Sequence, residues 1–264
     1  VTQANQSSDA SEDGKDAVEA KCILTPQERG FFWTLYHAVE NRYYIFPQIP
    51  LRHLVSDSKR QLPFELRGMR QGGIADFVLA DMATLEAILV IELDDPSHNL
   101  ADVQARDRRK NEFLDYAGIP LLRVPSKKSW DRNTLQQQID QTITSRQGQV
   151  AFLNEQEGVV FRLLCQARND SFVFSKVSLQ QIIRRNKMLE VEAYSALKNE
   201  TVDFLLVHSK YLGTRMVVEL DSDGYGTEKT DLMTQARIPW ISLEGAIPSV
   251  EQLRLKIQQC LKSS

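Results

Sequence analysis

Three acidic residues in two neighbouring apolar runs carry the chemistry most legible in this sequence. Asp76 interrupts the run Ile74 to Ala80, and Glu92 and Asp94 flank Leu93 at the end of the run Ala87 to Leu93. In a strand, residues i and i+2 share a face, so Glu92 and Asp94 point the same way and Leu93 points into the opposite core. If the two runs are adjacent strands, Asp76 joins them. Three carboxylates gathered at a sheet end repel one another, and a divalent cation removes that cost; oxygen ligands suit Mg²⁺ or Mn²⁺. An ion so held can bind a phosphate oxygen, generate hydroxide and steady a leaving oxygen. His98, four residues beyond Asp94, is placed to act as general base or phosphate contact.

The elements that must position these groups occur twice. Thr25-Pro26-Gln27-Glu28 is a capping box that starts a helix with Phe32, Leu35, Tyr36 and Val39 on one face. Strands follow at Tyr43 to Ile49, Ile74 to Ala80 and Ala87 to Leu93, with residues 56–73 read as a loop. A helix over Leu100 to Ala117, a strand over Pro120 to Val124 and a helix over Asn133 to Ile143 complete an αβββαβα order. Leu153, Glu157, Phe161 and Leu164 then repeat Leu24, Glu28, Phe32 and Leu35. Asp203 and Glu219 are separated by fifteen residues, as are Asp76 and Glu92, and Asp221 repeats Asp94. Ile238-Pro239 repeats Ile119-Pro120, and Val250 to Leu261 repeats the last helix. The copies differ between their acids and their fourth strand, with 25 steps from Asp94 to Ile119 but 17 from Asp221 to Ile238. His98 has no counterpart.

Bulk properties bound the setting. Residues 1–20 hold five acids and one base, a net −4 against −3 for the whole chain, so the remainder sums to +1. That segment lacks aromatic residues and reads as a flexible acidic tail. The near-neutral remainder neither demands nor excludes a nucleic-acid partner. Cys22, Cys165 and Cys260 form no paired motif, which fits a reducing, cytoplasmic setting. No apolar run reaches the ~20 residues of a membrane span, and no signal peptide is visible; a segment upstream of Val1 stays open.

The strand carrying Ala75-Asp76-Phe77-Val78-Leu79, then Ile91-Glu92-Leu93-Asp94-Asp95-Pro96-Ser97-His98, Arg106-Asp107-Arg108-Arg109-Lys110 and Ala117-Gly118-Ile119-Pro120, resembles the DUF2726 family of bacterial proteins. More broadly, the αβββαβ order with Asp on the second strand and Glu-x-acid on the third resembles the restriction-endonuclease-like, or PD-(D/E)XK, superfamily, with a pattern related to very-short-patch-repair-type nicking endonucleases. The resemblance is fuller over residues 22–146 than over 151–262. It implies Asp76 and Glu92 as metal ligands. Asp94 stands where the superfamily usually has lysine, and Lys110 or Arg106 on the following helix can take that part. The resemblance also gives Asp107 a role in holding His98 or a second ion, and Glu28 the acidic position of the first helix.

Each candidate has a structural reading as well. Glu28 is the third helical residue of a capping box, Asp107 sits among bases on a helix face, His98 can be a solvated loop residue, and the acids can pair with Arg and Lys. The loop bases Lys59, Arg60, Arg67 and Arg70 can meet phosphates or simply be solvated. His37, His53 and His208 have no ligand spacing.

The expectation is two tandem restriction-endonuclease-like α/β domains, each with a mixed central sheet, over 21–147 and 148–264. The first is a metal-dependent phosphodiesterase acting on nucleic acid, most readily DNA: Asp76, Glu92 and Asp94 hold Mg²⁺ or Mn²⁺, and His98 and Lys110 assist attack of water. The second keeps Asp203, Glu219 and Asp221, has lost the helix that completes the site, and packs on the first or grips substrate. The rival is a non-catalytic pseudo-nuclease that binds nucleic acid or a protein partner.

Overall fold

The computed structural model describes residues 19–55, 63–94, 101–145, 150–168, 170–184, 194, 197, 199–220 and 227–262. Helix α1 (Pro26–Val39) begins where the sequence dictates: the Thr25 hydroxyl accepts from the Glu28 N–H at 3.3 Å, and the Glu28 carboxylate accepts from the Thr25 N–H at 2.6 Å. Helix α5 (Glu155–Ala167) starts in the same way, with Asn154 and Glu157 in those two parts. A reciprocal cap of this kind satisfies two of the orphan donors at a helix start.

Each copy then builds the same sheet. In the first, β2 (Tyr43–Pro50), β3 (Ile74–Asp81) and β4 (Glu86–Asp94) are successively antiparallel, and β5 (Leu121–Pro125) runs parallel to β4. In the second, β7 (Ser171–Ser178), β9 (Thr201–His208) and β10 (Thr214–Leu220) are antiparallel, and β11 (Trp240–Leu243) is parallel to β10. The parallel crossovers pass through α3 (Ala101–Ala117) and α7 (Thr227–Gln235); α4 (Arg132–Ser145) and α8 (Val250–Lys262) close the copies. Each crossover helix ends in the same turn. Gly118 and Arg237 are left-handed, and Ile119 and Ile238 donate back to Leu114 and Met233.

The edge strands β2 and β7 lie against each other, and two apolar cores, one on each face of the sheets, run through both copies. One holds α1 and α4 of the first copy together with α7 of the second; the other holds α3 together with α5 and α8. Equivalent helices therefore sit on opposite faces. Rings cross the junction, with Tyr44 4.9 Å and Phe46 5.1 Å from Phe161, and Phe32 5.9 Å from Phe174. Each buried ring contributes about 1.5–3 kcal/mol of hydrophobic burial.

The structure corrects three expectations. The tail does not end at residue 20: β1 (Glu19–Ala20) pairs antiparallel with β8 (Ile183–Arg184) of the second copy. Likewise β6 (Val150–Ala151), at the head of the second copy, pairs with β4 of the first. The leading segment of each copy thus lies on the other, which two-residue strands give no local signal to foresee. The expected loop 56–73 contains a 3₁₀ turn (Phe64–Leu66) and helix α2 (Arg67–Gly72), held by burial of Leu66 and Met69. A helix, α7, remains in the second copy. Residues 1–18 of the tail and residue 147 at the expected boundary lie outside the described residues. Among the described residues no helix is long and apolar enough to cross a membrane.

Candidate functional site

Asp76 sits near the start of β3, and Glu92 near the end of β4. The Asp76 N–H donates to Glu92 Oε1 at 3.2 Å, while Asp76 Oδ2 accepts from the Leu93 N–H at 2.9 Å. Each carboxylate is thus locked to the neighbouring strand. Lys110, on α3, is buried and reaches down onto Glu92 Oε2 and onto the Ile74 carbonyl, the latter at 2.8 Å. Helix α3 therefore brings an ammonium to the pair, at the place where the sequence has Asp94 instead of lysine.

Asp94 does not join them. Its Oδ1 lies 2.5 Å from Arg123 Nη1, and Arg123 also meets Asn111 and, at 3.6 Å, Asp107. The three-carboxylate cluster expected from the sequence is thus two carboxylates, with Asp94 and Asp107 drawn to a guanidinium that stands opposite Glu92 on β5. Among the described residues no group of three or more His, Cys, Asp and Glu is arranged to hold a metal. His98 lies outside the described residues, as do Lys59 and Arg60.

Glu28 completes the neighbourhood from α1. Besides capping the helix, its Oε1 accepts from the Gln48 side-chain amide at 2.8 Å. Gln48 lies between Pro47 and Ile49, whose partners Phe77 and Ala75 flank Asp76 on β3, and is buried and left-handed with φ 57°. A left-handed non-glycine residue costs roughly 1–2 kcal/mol and persists where the surroundings enforce it. Burial pushes the Asp76 carboxyl up to about 7; the Glu92 charge adds to this, Lys110 and the Leu93 N–H oppose it, and Glu28 adds a little more.

The second copy reproduces the acid pair and its lysine. Asp203 N–H donates to Glu219 Oε2 at 3.2 Å, Asp203 Oδ2 accepts from the Leu220 N–H at 2.9 Å, and Lys229 donates to the Thr201 carbonyl at 2.8 Å. Lys229 lies 2.7 Å from Glu219 Oε1, an ion pair rather than a directed hydrogen bond. The expectation that this copy lost its completing helix is corrected: α7 is shorter than α3, and it keeps the lysine. Nine steps separate Lys229 from Ile238, as nine separate Lys110 from Ile119, so the eight missing residues lie upstream of the lysine. That spacing was the available signal. Asp221 lies outside the described residues. Burial pushes Glu219 up to about 7, against Lys229 and with Asp203 adding to it.

Two positions differ. On β11, Ser242 stands opposite Glu219 where β5 has Arg123 opposite Glu92. Lys176 replaces Gln48: it lies between Ser175 and Val177, whose partners Phe204 and Val202 flank Asp203, and it is buried and left-handed with φ 57°. Its ammonium lies 2.5 Å from Glu157 Oε1 and 3.2 Å from Asp203 Oδ1. Burial alone disfavours that charge, but the hydrogen bond and charge of Glu157, with Asp203, outweigh it and raise the Lys176 pKa.

Residues from the first copy also approach the second site. His53, in the 3₁₀ turn after β2 (Leu51–Leu54), is half-buried, its Nε2 has no hydrogen-bond partner among the described residues, and burial, Arg52 and Lys176 push it down to about 3 although Asp203 opposes them. Arg52 donates to the Asn199 carbonyl at 2.9 Å. An open groove of about 980 Å³ runs between this turn, Arg70 and Gln71 of α2, and Asn199. Arg67 stacks on the exposed Phe64 ring at 5.7 Å.

A family model described as a protein of unknown function, DUF2726, matches the chain twice, over residues 20–143 and 149–259. The chain belongs to the DUF2726 family. The two matches divide this DUF2726 protein where the fold repeats, and each takes in one acid pair with its lysine. No curated protein and no solved structure matches the chain.

Proposed function

We propose that this DUF2726 protein is a restriction-endonuclease-like, PD-(D/E)XK-type nuclease that hydrolyses phosphodiester bonds in nucleic acid, most readily DNA, with Mg²⁺ or Mn²⁺ at its first copy. The observation that carries this reading is the juxtaposition of Asp76, Glu92 and Lys110, an acid pair on adjacent strands with a lysine delivered from the next helix. The residues fit a small hard cation. Asp76 Oδ1 has no hydrogen bond among the described residues, and Glu92 Oε1 faces the same strand crossing. Counted in their ionised forms, Glu28, Asp76 and Glu92 exceed the one charge of Lys110 by two, and a cation there would favour ionisation of Asp76. Mg²⁺ commonly binds through one or two carboxylates and keeps several waters, so two ligands suffice.

Bound there, the ion would supply Lewis acidity toward a phosphate oxygen and a more acidic water. The chain's own groups divide the remaining work. Lys110 fixes the Glu92 carboxylate and offers positive charge toward a phosphate. Gln48 orients Glu28. Arg52 and Arg70, on the groove between the 3₁₀ turn and α2, offer cations to the backbone of a nucleic acid. In this reading His98 is a further general base, and a proton passes to the departing alkoxide from water.

Supercoiled plasmid incubated with Mg²⁺ or Mn²⁺ tests the reading. Nicking or cutting by the native protein, and none by Asp76→Ala or Glu92→Ala, is the expected result. Salt-dependent plasmid binding that survives both substitutions, with no cleavage by any of the three folded proteins, would contradict it and favour the binding module.

A further inference from the structure

We infer that the Lys176 ammonium is the resident cation of the second copy, supplied by the chain in the place that the first copy leaves for a divalent ion, so that metal binds at one copy only. The inference rests on the metal-dependent reading of the first copy. Gln48 and Lys176 are equivalent in three ways: the ladder pairs flanking each also flank the strand aspartate, both are buried, and both are left-handed at φ 57°. That backbone conformation is disfavoured for either side chain, and what it achieves in both copies is to aim the side chain at the first-helix glutamate. In the first copy the result is a neutral amide on Glu28. In the second it is a positive charge bridging Glu157 and Asp203.

The remaining bonds of the two acid pairs correspond: backbone N–H to carboxylate across the strands, and the crossover lysine to its carbonyl, while that lysine meets its glutamate through a hydrogen bond in the first copy and an ion pair in the second. With Lys110 or Lys229 counted in each and every group in its ionised form, three carboxylates and one ammonium give −2 in the first copy, while three carboxylates and two ammoniums give −1 in the second. Lys176 also takes up Asp203 Oδ1, the counterpart of the Asp76 oxygen left without a hydrogen bond among the described residues. A divalent ion there would have to displace the ammonium or share its ligand at close range, and like charges oppose both. The second site is thereby closed to metal while its carboxylates stay bonded.

The test is the number of Mn²⁺ ions bound by the full chain, read by electron paramagnetic resonance of free Mn²⁺ during titration. The native protein is expected to bind one ion, Asp76→Asn none, and the double variant D76N/K176Q one ion again, now at the second copy. Two ions on the native protein, or none on folded D76N/K176Q, would overturn the inference. No ion on the native protein with one on D76N/K176Q would instead contradict the proposed metal site of the first copy and leave the role of Lys176 standing. The reverse exchange guards against a double variant that does not fold: Gln48→Lys is expected to weaken Mn²⁺ binding at the first copy at least a hundredfold, and an unchanged affinity would also overturn the inference.

Discussion

The two copies present the same polar frame around different central residues. In both, a strand aspartate and a glutamate on the next strand exchange backbone bonds, and a buried lysine from the crossover helix rests on the glutamate. The first copy faces that pair with Gln48 and the second with Lys176. The difference teaches that the frame and its occupant are separable. The bonds to backbone and lysine hold the acids in place in both halves, and one residue on the edge strand sets the remaining charge. The occupants also feel different neighbours, since Lys176 lies near His53 of the first copy.

The frame itself is where substitutions should cost most. Removing one partner of a buried ion pair leaves the other charge uncompensated and typically costs ~3–5 kcal/mol. Lys110→Met and Lys229→Met are both expected to destabilise by that amount in urea unfolding. A large loss for Lys110 with almost none for Lys229 would break the claim that the second frame is as complete as the first.

Next in size is a pH effect at Asp76; Glu219 of the second copy is pushed up as well, so Asp76→Asn isolates the share of the first copy. Asp76 titrates near 7 in the folded protein against an ordinary 3.8, because burial and neighbouring acids disfavour its charge. Between those values the folded state binds more protons than the unfolded. The stability contribution is therefore full below about pH 4 and is lost as pH rises through 7. At ~1.4 kcal/mol per pH unit the loss reaches up to about 4 kcal/mol. Without metal, Asp76→Asn is expected to raise the melting temperature at pH 8 and leave it nearly unchanged at pH 4. Equal effects at the two pH values would show that the first site carries no excess negative charge.

Smallest is the effect of the residue that draws Asp94 aside. The Arg123–Asp94 pair is about a quarter to a third exposed on each side, so solvent screens it. Arg123→Ala is expected to cost ~1 kcal/mol, measured by thermal melting. A loss of several kcal/mol would place Asp94 in the buried frame with Asp76 and Glu92.

Much of this comparison was legible in the sequence. The equal spacing of Asp76 to Glu92 and Asp203 to Glu219, the capping box at Thr25 and the apolar runs around the acids place each pair on two strands, and their adjacency is what the sheet adds. Lys229 was hidden because eight missing residues read as the loss of a helix, although the deletion falls wholly upstream of it. Gln48 and Lys176 left no signal, since glutamine and lysine give no hint of a left-handed backbone, unlike the glycine at 118. Asp94 was misplaced because strand alternation gives its face but not the guanidinium waiting there from β5. The exchange of β1 and β6 between copies, and the placing of equivalent helices on opposite faces, depend on contacts far apart in the chain, which local patterns do not encode.

The central claim, that the two frames are alike but only the first is active, is tested most directly by plasmid cleavage with Mn²⁺ by Asp76→Asn and Asp203→Asn side by side, both confirmed folded. Cleavage is expected to be abolished by Asp76→Asn and retained within a fewfold by Asp203→Asn. Equal loss in the two variants, or loss only in Asp203→Asn, would contradict it.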